Sequence, residues 1–274
     1  MSNLALRVLT AVIALPLLGA LVAWREPLGF GVFVLVVAGL ALTEYATIAL
    51  PSAPRRLRAA VVAIGVGLAA ALYLKPELGL IWILAALVAV ATLVLFNPSE
   101  RPGDISGAGA RLGAAAFGVF YLGALPVPLA LLHRDAVDGS LWVGAAIIVT
   151  FANDTGAYFF GRALGRHKLY PAISPGKTVE GAVGGLVVGL GVLLALRMLF
   201  ARSISVLDCV LVAGPAAVLG PLGDLVESMI KRAAGVKDSG KLLPGHGGML
   251  DRIDALIVVA PVVYLYILWV GVGR

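Results

Sequence analysis

The side chains best suited to chemistry in this sequence are acids that lie inside or beside strongly apolar stretches. One face of the helix predicted around residues 220–232 carries polar groups at i, i+3, i+4 and i+7, namely Asp224, Glu227, Ser228 and Lys231. Asp224 would lie about 10 Å inside the end of this helix. Because an unpaired carboxylate at that depth in a membrane costs several kcal/mol, we expect Asp224 to be functional. Glu227 fits a functional role and a simple surface pair with Lys231 equally well.

The loop over residues 237–254 combines cations, carboxylates and several glycines. Glycine lets backbone N–H groups approach an anion closely, and cations neutralise phosphate charge. Asp251 and Asp254 are spaced i and i+3 at the start of the last apolar stretch, so both could simply cap or stabilise a helix N-terminus. Capping alone does not require Arg252 and His246 beside them. We therefore expect Asp251 to bind a metal or a phosphate, whereas both interpretations stay open for Asp254.

A second loop contains the sequence Ser-Pro-Gly-Lys-Thr at residues 174–178. It is not a P-loop, because that motif requires a glycine where Pro171 stands and follows a strand, and no strand is predicted here. Ser174, Lys177 and Thr178 can still hold phosphate groups at the N-terminus of the helix that follows. The sequence thus predicts a second phosphate-binding element.

Asn153 and Asp154 are further polar residues inside an apolar stretch, residues 140–160. For Asn153, a structural hydrogen bond between helices is an equally good explanation. Together, acids from two stretches and cations from two loops would converge at one side of a membrane. Mg²⁺ prefers carboxylate and phosphate oxygens, and lysine and arginine neutralise the remaining phosphate charge. The residues alone therefore predict phosphoryl or nucleotidyl transfer at a membrane surface, without identifying the nucleotide or the lipid.

The composition requires that membrane helices position these residues. Of the 274 residues, 61% are hydrophobic and 13% are charged, with a mean hydropathy of +1.02. Soluble domains are about 45–50% apolar and about 25% charged. The net charge of +6 does not indicate nucleic-acid binding, since no basic run is interleaved with aromatic residues. The single cysteine, Cys209, excludes an intrachain disulfide.

We predict an all-α, polytopic integral membrane protein with about nine transmembrane helices, because a spanning helix needs about 20 mainly apolar residues. We expect the first span to be retained rather than removed as a signal peptide, since its apolar run is long and contains Pro16. The predicted spans are 4–23, 28–50, 59–75, 78–96, 112–132, 140–160, 180–201, 205–230 and 253–273.

The distribution of basic residues predicts the orientation, because cytoplasmic loops are enriched in lysine and arginine. With the N-terminus in the cytoplasm, that side carries 15 of the 21 Lys and Arg residues and both motif loops. We therefore predict a multi-pass protein of the cell (inner) membrane whose active site faces the cytoplasm. Residues 1–135 have almost no polar residue inside a span apart from Thr43, Glu44 and Tyr45, so we assign them to a scaffold. Residues 136–274 are assigned to the catalytic region.

Residues 228–254 closely resemble the signature of the phosphatidate cytidylyltransferase (CDP-diglyceride synthetase) family. The segments 154–158 and 174–181 also look like that family's, although Gly176 stands where the family often has Lys or Asn. The similarity is strong over roughly residues 145–260 and only hydropathic before that. The matching signature positions are Ser228, Lys231, Arg232, Lys237, Asp238, Ser239, Gly240, Pro244, His246, Gly247, Gly248, Asp251, Arg252, Ile253 and Asp254.

The resemblance implies a Mg²⁺-dependent enzyme in the lipid bilayer that condenses CTP with phosphatidic acid, giving CDP-diacylglycerol and pyrophosphate. It implies that Asp224 and Asp251 bind the metal, supported by Asp254 and Asp238. The other implied catalytic residues are Lys231, Arg232, Lys237 and His246. The implied CTP-binding residues are Asp154, Ser174, Lys177 and Thr178, and those implied for the lipid phosphate are Ser228, Lys231 and Arg252.

We expect direct transfer without a covalent CMP–enzyme intermediate. Ser228 is the tempting nucleophile, but it lacks a base arranged beside it, since Glu227 has a different bearing and His246 belongs to a Gly-rich loop. A phosphate monoester has a second pKa of about 6, so it is largely dianionic at pH 7 and can attack unaided.

Other functions fit parts of the pattern. A CTP-dependent polyprenol kinase, or a synthase acting on ether-linked lipid phosphates, could share the scaffold and would differ in its products. The motif of the CDP-alcohol phosphotransferases is missing. An ion-coupled transporter would explain buried acids and broken helices, but not the cationic Gly-rich loop. A homodimer is only a general expectation for such enzymes.

Overall fold

The computed structural model describes residues 3–24, 26–97, 105, 107–200, 204–242 and 247–272, and for residues 3–11 and 271–272 only the backbone. Ten α-helices make up most of this part of the chain. They are α1 (Asn3–Ala23), α2 (Pro27–Ala49), α3 (Arg55–Leu74), α4 (Gly79–Leu95), α5 (Ala108–Gly123), α6 (Val127–Asp135), α7 (Gly139–Leu164), α8 (Val179–Leu199), α9 (Val206–Ala233) and α10 (Leu250–Val272).

The predicted all-α polytopic fold is confirmed. In the described ranges, eight helical segments are long and apolar enough to cross a membrane, with α5 and α6 together forming one of them. The apolar helix α1 has 21 residues and coincides with the first predicted span. Each of the nine predicted spans coincides with α1 or with one of these eight segments, because length and hydropathy determine them.

Local sequence explains where the helices near the candidate site begin. Thr178 caps α8, since its hydroxyl oxygen accepts a hydrogen bond from Gly181 N at 3.0 Å. Ser205 and Asp208 form a capping box at the start of α9. Such caps satisfy N–H groups that have no partner inside the helix.

A short antiparallel hairpin precedes α8, formed by β1 (Lys168–Tyr170) and β2 (Ser174–Thr178). The expectation that no strand accompanies the Ser-Pro-Gly-Lys-Thr sequence was therefore wrong. These strands are too short and too exposed to show the alternating apolar pattern by which a strand is recognised in a sequence. The hairpin leads directly into α8 and fixes where Lys177 enters the helical bundle.

The helices that carry the acids pack closely against one another. Gly223 on α9 lies against α10 so tightly that a Cβ there would collide with the carbonyl oxygen of Asp254. A glycine is needed at this contact, and the close approach brings Asp224 towards Asp254. A separate apolar cluster, which includes Leu42 and Tyr45 of α2 and Leu250 and Ile257 of α10, joins the two halves of the chain.

Candidate active site

Three carboxylates on α9 and α10 form what we term the acidic triad: Asp224, Glu227 and Asp254. One oxygen atom from each lies within 4.8 Å of the others, a spacing that allows all three to hold one metal ion. Glu227 is 1% exposed, and its Oε2 lies within ion-pair distance of Lys231 Nζ. A buried carboxylate requires such a positive partner, either a basic side chain or a metal ion. Three carboxylates suit a hard divalent ion such as Mg²⁺.

Two lysines neutralise part of the negative charge of the triad. Lys231 Nζ lies 2.5 Å from Glu227 Oε2 and 2.7 Å from Asp251 Oδ1. Lys177 enters from β2, and its Nζ lies 2.8 Å from Asp224 Oδ2. These pairs join separate elements of the fold, so the hairpin, α9 and α10 meet at one charged centre. The pair of Glu227 with Lys231 is buried rather than on the surface.

Asp251 is held differently from the triad. Its Oδ2 accepts hydrogen bonds from Ser239 N at 3.0 Å, Ser239 Oγ at 3.0 Å and Gly248 N at 2.8 Å, while Oδ1 pairs with Lys231. Gly248 therefore brings its N–H to an anion, as the Gly-rich sequence predicted, but this anion is a protein carboxylate. The role of Asp251 as a metal ligand stays a prediction.

Ser228 lies beside the triad, and its hydroxyl donates a hydrogen bond to Asp224 Oδ1 at 3.1 Å. The expectation that no base is arranged beside Ser228 was therefore wrong. Asp224 is one helical turn away, and its bond with Ser228 is a local i, i+4 contact. Asp224 also pairs with Lys177, so its carboxylate is already engaged by a cation.

The residues predicted to bind CTP are brought together only in part. Asp154 on α7 interacts electrostatically with Asp224, Lys177 and Arg252, so it belongs to the same charged centre. Ser174 is half-buried at the start of β2. The hydroxyl oxygen of Thr178 is occupied in capping α8, so its contact with CTP stays a prediction.

The remaining predicted residues make no contact with the acidic triad that the described part of the chain shows. Lys237 and Asp238 are exposed and make no hydrogen bond or ion pair with the described residues. Arg232 is also exposed and donates to Val236 O at 3.2 Å. His246 lies outside the described residues. For each of these, the predicted role is untested.

Asn153 has the structural role that was one of its two interpretations. With its amide oriented for hydrogen bonding, it donates to Gly185 O at 2.6 Å and accepts from Ala217 N at 3.1 Å. It thereby joins α7, α8 and α9 around the site.

Glu44 on α2 reaches this site, although sequence reasoning assigned α2 to the scaffold. Its carboxylate accepts hydrogen bonds from Ser239 Oγ at 2.8 Å, Met249 N at 3.0 Å and Leu250 N at 3.0 Å. The available signal was an acid inside the apolar span 28–50. No pattern along the chain indicates its partners, because they lie about 200 positions away.

An apolar cavity of about 730 Å³ opens beside the charged centre. It is lined by α1, α2, α6, α7 and α10, with side chains such as Phe30, Ile147 and Leu256. Arg252 is the one charged residue among the lining residues that the structure describes, and Arg252 also interacts with Asp154. The cavity therefore joins a lipid-like environment to the polar site.

Comparison with known proteins gives consistent matches. The sequence model of a family described as "Cytidylyltransferase family" matches residues 5–270. Proteins named phosphatidate cytidylyltransferase are similar, at 42% identity in Staphylococcus saprophyticus, 40% in Staphylococcus haemolyticus and 40% in Staphylococcus aureus (strain COL). Each alignment covers 154 residues, which is 56% of this chain and 59% of the relative. The match thus extends over about three fifths of the relatives' length.

Proposed function

The chain belongs to the cytidylyltransferase family, and we propose that it is a nucleotidyltransferase that converts CTP and phosphatidic acid into CDP-diacylglycerol and pyrophosphate. The observation that carries this proposal is the acidic triad at the ends of two membrane helices, with Lys177 and Lys231 beside it. This arrangement suits a polyphosphate that must be bound through a divalent cation. The names of the similar proteins supply the nucleotide and the lipid.

Asp224, Glu227 and Asp254 would hold Mg²⁺, with Asp251 next to them through Lys231. When bound, Mg²⁺ would neutralise charge on the triphosphate and make its α-phosphorus more electrophilic. Lys177 approaches Asp224 from the hairpin, so its ammonium group lies where a triphosphate held at the triad would pass. Lysine binds phosphate as a point charge, which suits this position.

The lipid substrate would lie in the apolar cavity. A diacylglycerol group is apolar, whereas its phosphate carries two negative charges at neutral pH. Arg252 at the edge of the cavity would hold the phosphate, and side chains such as Phe30 and Leu256 would contact the acyl chains. This places the phosphate next to Asp154 and the triad, where the nucleotide is expected.

Transfer would be direct. A phosphate oxygen of phosphatidic acid attacks the α-phosphorus of CTP, the bond from that phosphorus to the bridging oxygen of the β-phosphate breaks, and pyrophosphate leaves with the electron pair. The attacking phosphate is largely dianionic, so no residue needs to remove a proton. The chain's own residues align the two phosphates and neutralise their charge. Ser228 donates a hydrogen bond to Asp224 and would serve in orientation rather than as a nucleophile.

The active site would face the cytoplasm of the cell, as the excess of lysine and arginine on that side indicates. Cysteines placed at the exposed residues Asp238 and Val137, in a Cys209→Ser background, test this orientation. An impermeant thiol reagent should label the Val137 variant in intact cells and the Asp238 variant only after lysis. The reverse pattern would contradict the orientation.

The mass of the protein in detergent tests whether it forms a homodimer.

The test of the function is a transfer assay with purified protein, phosphatidic acid, Mg²⁺ and CTP labelled at either the α- or the γ-phosphorus. The α-label should enter a lipid product, and the γ-label should appear in pyrophosphate. Transfer of the γ-label to a lipid would instead identify a kinase. Absence of both from lipid would reject the proposed function.

A further inference from the structure

Among the side chains that the structure describes in residues 12–135, Glu44 is the one that forms hydrogen bonds with the described part of the Gly-rich loop. Its two oxygens accept three hydrogen bonds there, all between 2.8 and 3.0 Å, from Ser239 Oγ and from the backbone of Met249 and Leu250. These partners are separated from Glu44 by 195 to 206 positions in sequence. A contact of this kind is specified by the fold and not by the local sequence.

Two of these hydrogen bonds are made at the start of a helix. Leu250 is the first residue of α10 and Met249 precedes it. The first N–H groups of a helix have no partner within the helix, and a carboxylate there also interacts favourably with the helix dipole. Glu44 therefore caps α10 from another helix. Asp251 lies in the first turn of α10 and Asp254 follows three residues later, so the cap fixes the position of both carboxylates.

The third hydrogen bond continues into the charged centre. The Ser239 hydroxyl lies 2.8 Å from Glu44 Oε2 and 3.0 Å from Asp251 Oδ2. A hydroxyl has one proton, so it donates to one of these carboxylates at a time while the other is held by backbone N–H groups. Asp251 in turn pairs with Lys231, and Lys231 with Glu227. A continuous series of polar contacts thus runs from α2 to the acidic triad.

The loop is shaped to receive the Glu44 carboxylate. A Cβ at Gly240 would lie 2.5 Å from Glu44 Oε1, and a Cβ at Gly248 would collide with both Glu44 and Ser239. Glycine is required at both positions while Glu44 occupies this place. Beside it on α2, Leu42 and Tyr45 are buried in the cluster that includes Leu250, so apolar packing fixes the same contact.

We propose that Glu44 is a positioning residue, which holds the start of α10 and so orients Asp251 and Asp254 for the transfer. The effect on turnover rests on the proposed function, whereas the effect on α10 does not. Glu44 acts through Ser239 and the backbone and does not touch substrate. Residues that orient metal-binding groups typically change metal affinity or activity by about 10–100-fold when they are removed.

Glu44→Gln tests this role because it keeps the size of the side chain and removes its charge. Hydrogen exchange measured by mass spectrometry should become faster in the segment 247–254 and stay unchanged in α8. In the transfer assay, kcat should fall by about 10–100-fold and the Mg²⁺ concentration for half-maximal rate should rise, with a much smaller change in KM for CTP. Glu77→Gln is the matched control, since Glu77 is exposed and pairs only with Lys75 at 3.9 Å.

Glu44→Asp provides a second variant in case Glu44→Gln does not fold. It keeps the charge but is shorter by one methylene group. We therefore expect smaller changes in hydrogen exchange, kcat and Mg²⁺ dependence than for Glu44→Gln. Ser239→Ala combined with Glu44→Gln should be non-additive, because both changes break one series of contacts. Additive losses would show that the two residues act separately and would overturn the proposal.

Folded Glu44→Gln protein with wild-type exchange in segment 247–254 would overturn the proposal, whatever its activity. Faster exchange with unchanged kcat and Mg²⁺ dependence would also overturn it. If the wild-type protein transfers no cytidylyl group, the proposed function fails independently. The exchange data and the affinity for Mn²⁺ then decide whether Glu44 positions α10.

Discussion

The two halves of the chain use charged side chains in different ways. In residues 12–135, the ion pairs seen join near neighbours in sequence, Lys75 with Glu77 and Arg134 with Asp135. In the second half, Lys177 pairs with Asp224 and Lys231 with Asp251, which joins distant elements in a half-buried cluster. Charge inside a membrane protein is costly, and the second half concentrates it at one site.

The first half also connects its helices through hydrogen bonds to backbone carbonyls. Tyr45 donates to Ala114 O at 2.8 Å and Tyr73 to Pro27 O at 2.9 Å. Arg134 donates to Tyr73 O, so one of these donors is charged. Glu44 differs because its partners belong to the second half. An acid of the supporting helices therefore takes part in the charged contacts of the second half.

The largest effect is expected for Asp224→Asn. The amide keeps the size of the side chain but loses the charge that a hard cation and Lys177 both require. We expect the transfer rate to fall by at least about 10²–10³-fold, with the protein still folded. Asp138→Asn is the control. Asp138 is exposed in the loop before α7, so its replacement should leave the transfer rate unchanged. A near-normal rate for Asp224→Asn at ordinary Mg²⁺ would show that the triad is misassigned.

Glu227→Gln should have the second-largest effect. We expect the transfer rate to fall by about 10–100-fold and the requirement for Mg²⁺ to rise. The sequence alone left a functional role and a surface pair with Lys231 equally open for Glu227. Because Glu227 is buried within the triad, we expect a larger loss of transfer rate than a surface pair would cause. The rate measured against Mg²⁺ concentration distinguishes the two views, since a purely structural pair would leave the Mg²⁺ dependence unchanged.

Much of this difference between the halves could be predicted from the sequence. Length and hydropathy predicted the eight long apolar segments and the helix α1, and the i, i+3, i+4 spacing predicted the polar face of α9. The partners of each acid could not be predicted, because contacts such as Glu44 with Leu250 depend on how distant helices pack. For the same reason the burial of Glu227 among the three carboxylates could not be predicted, and the role of Asp251 as a metal ligand stays a prediction. The strands β1 and β2 escaped prediction since they are short and exposed.

A smaller effect is expected for Lys177→Gln. Loss of one charge-assisted contact is worth about 1.5–3 kcal/mol, which corresponds to about 10–100-fold at most, and we expect the lower end because Lys231 remains. The change should appear mainly in KM for CTP. Lys168→Gln is the matched control, because Lys168 is exposed on the same hairpin. Equal effects of the two variants would contradict a specific role for Lys177.

The smallest effect on turnover is expected for Tyr73, a residue of the first half without the role proposed for Glu44. Tyr73→Phe removes the hydrogen bond to Pro27 O, which should lower the free energy of unfolding by about 0.5–1.5 kcal/mol. The transfer rate should not change, since Tyr73 lies in the supporting helices. Thermal unfolding in detergent and the transfer assay measure the two quantities. A large loss of rate with unchanged stability would break the distinction between the halves.

The central claim is that the acidic triad of the second half holds a divalent cation. Binding of Mn²⁺ to the purified protein, followed by electron paramagnetic resonance, tests it without relying on turnover. The wild-type protein should bind Mn²⁺ with at least about 10-fold higher affinity than Asp224→Asn, Glu227→Gln or Asp254→Asn, and Mg²⁺ should displace it. Equal Mn²⁺ affinity in the wild-type protein and all three folded variants would contradict the account.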